Sequence, residues 1–594
     1  MKKISFLFIF ALAVGLSGCT DLDTKLTNEW SEEDTWQIAE KAHGVLLSVY
    51  KELMPSVDAW DGCFLDVATD NATTRLTGSS IYMLAHGGMT AAQNPIDVWT
   101  HTYDQLQKIH LFLDRGLADE VRYNLSNDGD DASIKKRLRG EALMLRAWCG
   151  FRLLQTYGGK TADGEALGYP IVTSYVDASQ AANTGQFIRN SYEECVNQIC
   201  KDCDEAMSLL PLVYKGSDAI IGQEMVGRAS GLAAAALKSR VLLYAASPAY
   251  QPDNVVKITG VGQFNVTNPS VYKAKWERAA EWAAKVVEMD GMGTYAALQP
   301  KELCDGGDNQ SAELLLRTFM GRNHYIEQRH YPPFYHGNAQ TVPTQNLADA
   351  FPALNGYPIT DSRSGYDASH PYAVERDKRF DVNLYYQGRQ FGVNKSTIDV
   401  AEGGKDSPFF SPKASPTGYY LAKFVNTGLA DMLSPLNTQD SRHYNPLLRK
   451  GEVWLNMAEA ANEAWGPTTV IPGTSYSARD IIKTIREVSG GITDTGYLDE
   501  QSASQEGMRL LIQNERRLEL AFENHRYWDM RRWLLPLGQT IKAMRVSRDS
   551  QGVESFHVES IEDRSVLNSL KYYYAPLPYD EMRKNPSLKN NLGW

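Results

Sequence analysis

Apolar side chains recur every three to four residues over 36–53, 99–117, 134–157, 191–210, 226–245, 276–289, 446–465, 478–487 and 507–533, the period of helices. Several of these stretches carry small residues in blocks: Ala233 to Ala236, Ala279-Ala280 with Ala283-Ala284, and Ala458 with Ala460-Ala461. Small side chains let helix axes approach closely, as in stacked helix–turn–helix repeats. No strict period of about 34 residues runs through the chain, so the pairs are at best degenerate tetratricopeptide-like ones. Between them lie Pro- and Gly-rich loop regions, chiefly 160–190, 250–270, 290–445 and 535–580. Loops this long in a folded chain are usually functional or contain short strands of their own. The expected fold is mainly α: a scaffold of tetratricopeptide-like helix pairs under a loop-rich layer with a few short strands.

Composition fits a globular chain, with 43% hydrophobic and 22% charged residues over 594 positions. Its 60 basic residues against 72 acidic ones leave a net charge of −12, which argues against a nucleic-acid binder.

The first residues read differently. Lys2 and Lys3 precede an uncharged apolar run from Ile4 to Leu16, too short to cross a bilayer core and suited to a secretory signal peptide over 1–18. Leu16-Ser17-Gly18-Cys19 resembles the bacterial lipobox, which makes Cys19 the lipidation site and 19–30 a tether. A plain signal peptide with an incidental cysteine is the other reading. Thr20-Asp21-Leu22-Asp23 resembles the acidic signal that sends Bacteroidetes lipoproteins to the cell surface. The expected location is the outer membrane, lipid-anchored and facing the exterior.

Catalytic and metal templates are missing from the sequence: there is no H-E-x-x-H, G-x-S-x-G or Walker motif. Cys195, Cys200 and Cys203 have a cluster-like spacing, but they fall on an amphipathic helix and read as core thiols. Glu40-x-x-His43 and Glu327-x-x-His330 could contribute to a dimetal site, except that Tyr331-Pro332-Pro333 stops the second helix at once. No catalytic residue, cofactor or metal is expected.

The densest polar segment is Gln513 to Glu523, closing with Arg526-Tyr527-Trp528-Asp529. Glu515, Glu519 and Glu523 recur every four residues, which places like charges on one helix face unless cations intervene. Arg516, Arg517 and Arg526 are placed to do so, predicting a structural network of Glu515, Arg516, Glu519, Glu523 and Arg526. The alternative is a carboxylate pair for glycoside hydrolysis.

Here the residues carry a resemblance. Asn514-Glu515-Arg516-Arg517-Leu518-Glu519-Leu520-Ala521-Phe522-Glu523 with Arg526-Tyr527-Trp528-Asp529 resembles the C-terminal signature of the SusD/RagB outer-membrane lipoproteins. Arg139-Gly140-Glu141-Ala142, Tyr169-Pro170-Ile171-Val172, Pro343 to Leu347, Arg376 to Phe380, Leu448 to Ala460 and Asn585-Pro586 to Trp594 resemble other segments of that family, in order. The resemblance implies a single SusD-like domain over 31–594, its ligand-surface part about 31–340 and its signature part about 341–594. It implies capture of an oligosaccharide and its delivery to a SusC-like TonB-dependent transporter, over which the lipoprotein sits as a lid. Some relatives bind peptides instead. A lipid-anchored glycoside hydrolase is the alternative from another class.

Sugar rings stack apolar C–H faces on aromatic side chains and offer hydroxyls to polar ones. The candidate ligand residues are therefore Trp60, Asp66, Asp70, Asn71 and Arg75 in a turn-prone stretch, with Trp99, Tyr331, Phe334 and Tyr335. For Trp99 helix packing is the competing reading. For the 331–335 aromatics, Pro332-Pro333 stiffens the segment and lowers the cost of ordering it on binding.

Overall fold

Where the alanine blocks sit, helices meet. The computed structural model describes residues 32–53, 56–252, 268–304, 311, 313–319, 321–428, 433–434 and 437–594. Signal peptide, Cys19 and tether lie outside these residues. The scaffold helices are α1 (Ala39–Glu52), α2 (Trp99–Leu111), α3 (Asp128–Tyr157), α4 (Tyr192–Leu209), α5 (Gly231–Ala246), α6 (Pro269–Val287), α7 (Lys450–Trp465), α8 (Ala478–Ile485), α9 (Gln505–Glu519) and α10 (Arg526–Arg532). From α1 to α7 each packs on the next, with α1 on α2 and α3 on α4 among the pairs, and α7 then packs on α8 and α9. The alanines of α5, α6 and α7 are buried in those contacts. At Gly140 on α3 a Cβ would fall 2.6 Å from Leu210, so the approach to the end of α4 needs glycine.

Local signals set the helix starts. Asn127 accepts from the Gly129 and Asp130 amides to begin α3, and Ser191 with Glu194 forms a reciprocal capping box on α4. Cys195, Cys200 and Cys203 line the buried side of α4. The strands form two-stranded antiparallel ladders: β1 (Leu314–Phe319) with β2 (Tyr444–Arg449), β3 (Thr540–Arg548) with β4 (Glu554–Asp563), and several two-residue pairs. One of these pairs Ala72 with Pro343 and Thr73 with Val342, drawing the 60–75 stretch beside the 331–343 loop. Buried apolar side chains from Leu46 to Leu588 form one contiguous core.

Two helix expectations need correction. The segment 446–465 is not one helix, because Pro446 and its neighbours belong to β2 and α7 starts only at Lys450. The segment 507–533 is also interrupted: α9 ends at Glu519, and Phe522 and Asn524 take left-handed φ of 61° and 62° before α10 begins. Tertiary hydrogen bonds hold that break. Asp66 accepts from the Phe522 amide (3.2 Å), while the Asn524 side chain donates to the Val57 carbonyl (2.9 Å) and accepts from the Leu65 amide (2.9 Å). Glu523 therefore lies beyond the helix that carries Glu515 and Glu519.

All three carboxylates still converge on buried cations, but these are Arg379, Arg449, Arg486 and Lys423 and not the expected Arg516, Arg517 and Arg526, which pair with Asp529 and Asp70 instead. Glu515 accepts from Arg379 (2.6 Å) and Arg486 (2.7 Å). Glu519 takes Arg449 (3.2 Å) and Arg379 (3.3 Å), and Glu523 takes Arg449 and Lys423, both at 2.7 Å. Burial alone would raise the Glu523 carboxyl, but Arg449 and Lys423 overcome it and hold it down at about 2. Arg516 donates to Asp529 (2.9 Å) and Asn456 (2.7 Å), tying α9 to α10 and α7.

Candidate ligand-binding surface

The sequence-predicted ligand residues separate into two environments. Asp66, Asp70, Asn71 and Tyr331 are buried and taken up by partners within the fold. Arg526 grips both Asp70 oxygens (2.9 and 3.0 Å), and Arg517 donates to Asn71 (2.7 Å). Burial would raise the Asp70 carboxyl, yet Arg517 and Arg526 hold it well below the usual carboxylate range. Asn71 in turn donates to Asp66 (2.9 Å), whose carboxyl burial pushes up. These three polar residues, expected to face a ligand, instead anchor the 60–75 stretch to α9 and α10. The Tyr331 hydroxyl donates to the Asn426 carbonyl and its ring meets Phe391 edge-on, so it too belongs to the packing.

Trp60 and Trp99 are also mostly buried. Trp99 packs against Tyr103 and Tyr157 at 5.2 Å each and lines an apolar cavity of about 340 Å³. Trp60 lines a different cavity, of about 210 Å³. Neither joins the loop aromatics.

Phe334 and Tyr335 do come together, and Arg75 binds the loop that carries them through the Asn338 carbonyl. The helix Tyr325–His330 stops where Pro332 cannot continue it, and the chain turns through Pro333–Tyr335 to a left-handed His336 at φ 67°. That turn leaves Phe334 exposed (42%) above a half-buried Tyr335, which stacks on Phe391 at 4.3 Å. A second loop, 404–414, brings Phe410 to 5.8 Å from Phe334. Phe410 is 54% exposed and Phe409 is 81% exposed, large apolar surface left in water. Sequence reasoning missed both, although Pro408-Phe409-Phe410-Ser411-Pro412 carries the signal of an aromatic pair held between prolines.

Polar groups brace this ledge from its edges. Arg75 donates to the Pro412 carbonyl (2.6 Å) and the Asn338 carbonyl (3.2 Å), pinning the two loops to each other. Lys413 donates to the Asn338 side chain (2.9 Å). Lys405 lies 4.6 Å from the Phe334 ring centre and donates to the Tyr335 hydroxyl (3.0 Å) and Ser396 (2.6 Å). Beside it the buried Asp406 accepts from the Asp399 amide (2.9 Å), and burial pushes its carboxyl up to about 6. Chemically, the arrangement offers exposed ring faces on two stiff loops, rimmed by amide and ammonium groups.

The two Glu-x-x-His segments take separate partners. Glu327 accepts from His443 (2.8 Å) and the Asn426 amide (2.9 Å), His330 faces Asp58 (3.2 Å), and His43 lies by Arg228 (3.4 Å). No cluster of three metal-binding side chains occurs among the described residues, and no helix among them is long and apolar enough to cross a membrane.

Known proteins share this architecture. A SusD-like protein of Bacteroides fragilis superposes with a TM-score of 0.71 over 95% of this chain and 99% of its own, at 23% identity. A SusD-like carbohydrate-binding protein of the same organism gives 0.65 over 93% and 100%, at 19% identity. A SusD homologue of Bacteroides thetaiotaomicron gives 0.61 over 95% and 99%, at 18% identity. In sequence, SusD-like protein P25 of Formosa agariphila is 29% identical over 171 residues, which span 28% of this chain and 27% of that relative. One family model, described as starch-binding and associating with the outer membrane, matches 22–243, and the SusD family model matches 309–594. With both models matched in order and the helical scaffold shared along nearly its whole length, the chain belongs to the SusD family.

Proposed function

We propose that this protein captures oligosaccharides at the cell surface through the Phe334–Phe409–Phe410 ledge and passes them to a SusC-like TonB-dependent transporter as its lid. One observation carries the reading: three phenylalanine rings stand in water on proline-stiffened loops, where the packing of the fold has no use for them. Pyranose C–H faces cover such rings, while Asn338, Lys413 and Lys405 are polar groups at their edge that would meet the hydroxyls. Arg75 and Lys413 cross-brace the loops, which lowers the conformational entropy lost when a sugar settles. The reading is of binding without turnover, on a lipoprotein held to the outer membrane through Cys19. The starch-binding description of the matching family supports the ligand class.

A glycan array followed by calorimetry on the chain from residue 20 onward tests it. Binding of at least one oligosaccharide, with no reducing ends released, is the expected result. Release of reducing ends would make the protein a hydrolase, and binding of peptides but no glycan would overturn the ligand class.

A further inference from the structure

The cavity beside Trp60 has a different character from the ledge. It lies between α3, the loop that enters α2, the β2 strand and the 523–528 turn, and shares no lining residue with the ledge. Three indoles contribute to its wall: Trp60, Trp148 and Trp528. Trp60 and Trp148 are only 9% and 5% exposed, and His525, also in the wall, is 9% exposed. Buried polar groups in a folded chain are normally paired. The side chain of Trp533, five residues beyond Trp528, follows that rule by donating to Glu459 (2.7 Å). The three indole N–H groups and the His525 imidazole have no hydrogen bond to any of the described residues, and they do not break that rule, because none of them is sealed from solvent.

The charges around the cavity balance. Arg152 and Asp97 both line it, one from α3 and the other from the loop before α2. One Asp97 oxygen accepts from the Trp99 amide (2.8 Å) and the Tyr157 hydroxyl, and the other takes nothing from the described residues. Arg240 and Glu523 also reach the wall, but like Arg152 they already have partners: Arg240 is engaged by Glu452 (2.6 Å) and Glu523 by Arg449 and Lys423 (2.7 Å each). Burial, helped by nearby Arg240 and Arg516, pulls His525 down to about 4, so its ring is neutral near pH 7 and offers one donor and one acceptor. A hydroxyl group is likewise both donor and acceptor, whereas an anion would need donors alone.

We propose that this cavity is a second saccharide site, which takes one neutral pyranose against the tryptophans and hydrogen-bonds its hydroxyls to His525 and Asp97. The volume of about 210 Å³ is below the roughly 300–1,000 Å³ of pockets for larger ligands, which suits one ring and not a chain of them. This inference deepens the saccharide-binding reading and rests on it. The ledge would hold a stretch of polymer along open rings, and the cavity would hold a single unit or a chain end.

The test follows the His525 ring by NMR in ¹³C-histidine-labelled protein, with the signal assigned from His525→Gln. The probes are glucose, galactose, mannose, xylose and fucose, with glucuronate as the anionic control, each to about 50 mM, where a Kd near 1 mM is saturated. At least one neutral sugar is expected to shift the His525 signal saturably, in the native protein and equally in Phe410→Ala, and at least tenfold more weakly in Trp528→Ala. A silent His525 with every neutral sugar, or a response to glucuronate alone, overturns the proposal. Calorimetry with an oligosaccharide keeps the two readings apart. Phe410-dependent binding beside a silent His525 removes the cavity and leaves the ledge, whereas no binding of any sugar removes both.

Discussion

The arginine–glutamate network around α9 and the ledge at 334–410 use their charged groups in opposite ways. In the network each carboxylate of Glu515, Glu519 and Glu523 meets two cations, and all are buried. In the ledge the rings are the exposed groups, and Lys405 and Arg75 brace loops from beneath or beside them. The densest polar motif is thus buried inside the scaffold, and the exposed apolar surface is carried by a few aromatic residues between prolines. Polar density in a sequence marks where charge must be paired, which is a different matter from where chemistry is displayed.

The sharpest way to break this contrast is Arg449→Met. It leaves Glu519 and Glu523 buried with half their cations gone, and removing one partner of a buried pair costs about 3–5 kcal/mol. Urea denaturation is the measurement, and an unchanged midpoint would mean the network does not hold the scaffold together. Acid should weaken it as well. With Glu523 held at about 2, its contribution is complete above the ordinary carboxylate range near 4.5 and drains away as pH falls toward 2.

Phe410→Ala should do the reverse. It should leave the unfolding free energy within about 0.5 kcal/mol of native while weakening oligosaccharide binding by roughly 1.4–2.7 kcal/mol, ten- to a hundredfold. Calorimetry and denaturation on one sample read both, and a variant that loses stability but keeps its affinity would turn the ledge into ordinary packing.

Asp406→Asn probes the charge buried beneath the ledge. A carboxyl raised to about 6 disfavours the folded state while ionised, a cost complete above pH 6 and relieved as pH falls toward the unfolded value near 4. The variant should therefore gain on the order of 2 kcal/mol over the native protein at pH 8 and nothing at pH 4, by urea denaturation at each pH. A gap independent of pH would reject the assignment. Smallest of all, Lys405→Met removes the cation over Phe334 and should cost about 0.5–1 kcal/mol of glycan affinity, because the ring survives without its brace. A loss as large as that of Phe410→Ala would make Lys405 a direct ligand contact.

The helix period sufficed at 191–210, where the helix runs Tyr192–Leu209, while at 276–289 it caught only the later part of a helix that starts at Pro269 and ends at Val287. Helix positions were misread where a distant partner decides the backbone. Nothing local in Leu520 to Asn524 announces left-handed residues, because the bonds that hold them come from Asp66, Val57 and Leu65. The same distance hid the role of Asp66, Asp70 and Asn71. Their acidic, turn-prone stretch looks solvent-facing until Arg517 and Arg526 arrive from the other end of the chain. Phe334 and Tyr335 could be read because Pro332-Pro333 stiffens their own neighbourhood. Pairing them with Phe409 and Phe410 required the fold.

That long reach has a consequence for how the chain is made. Asp70 and Arg526 are 456 positions apart, and Arg564, which donates to the Val67 carbonyl, stands 497 positions beyond it. At about 5–20 residues per second a ribosome needs roughly 20–90 s between the two ends of the first contact. Until then the early acidic stretch has no counterion and no place to be buried. A truncated chain ending just before residue 517 therefore cannot bury the early acidic stretch it already contains, although it lacks only the last 78 of the 594 residues.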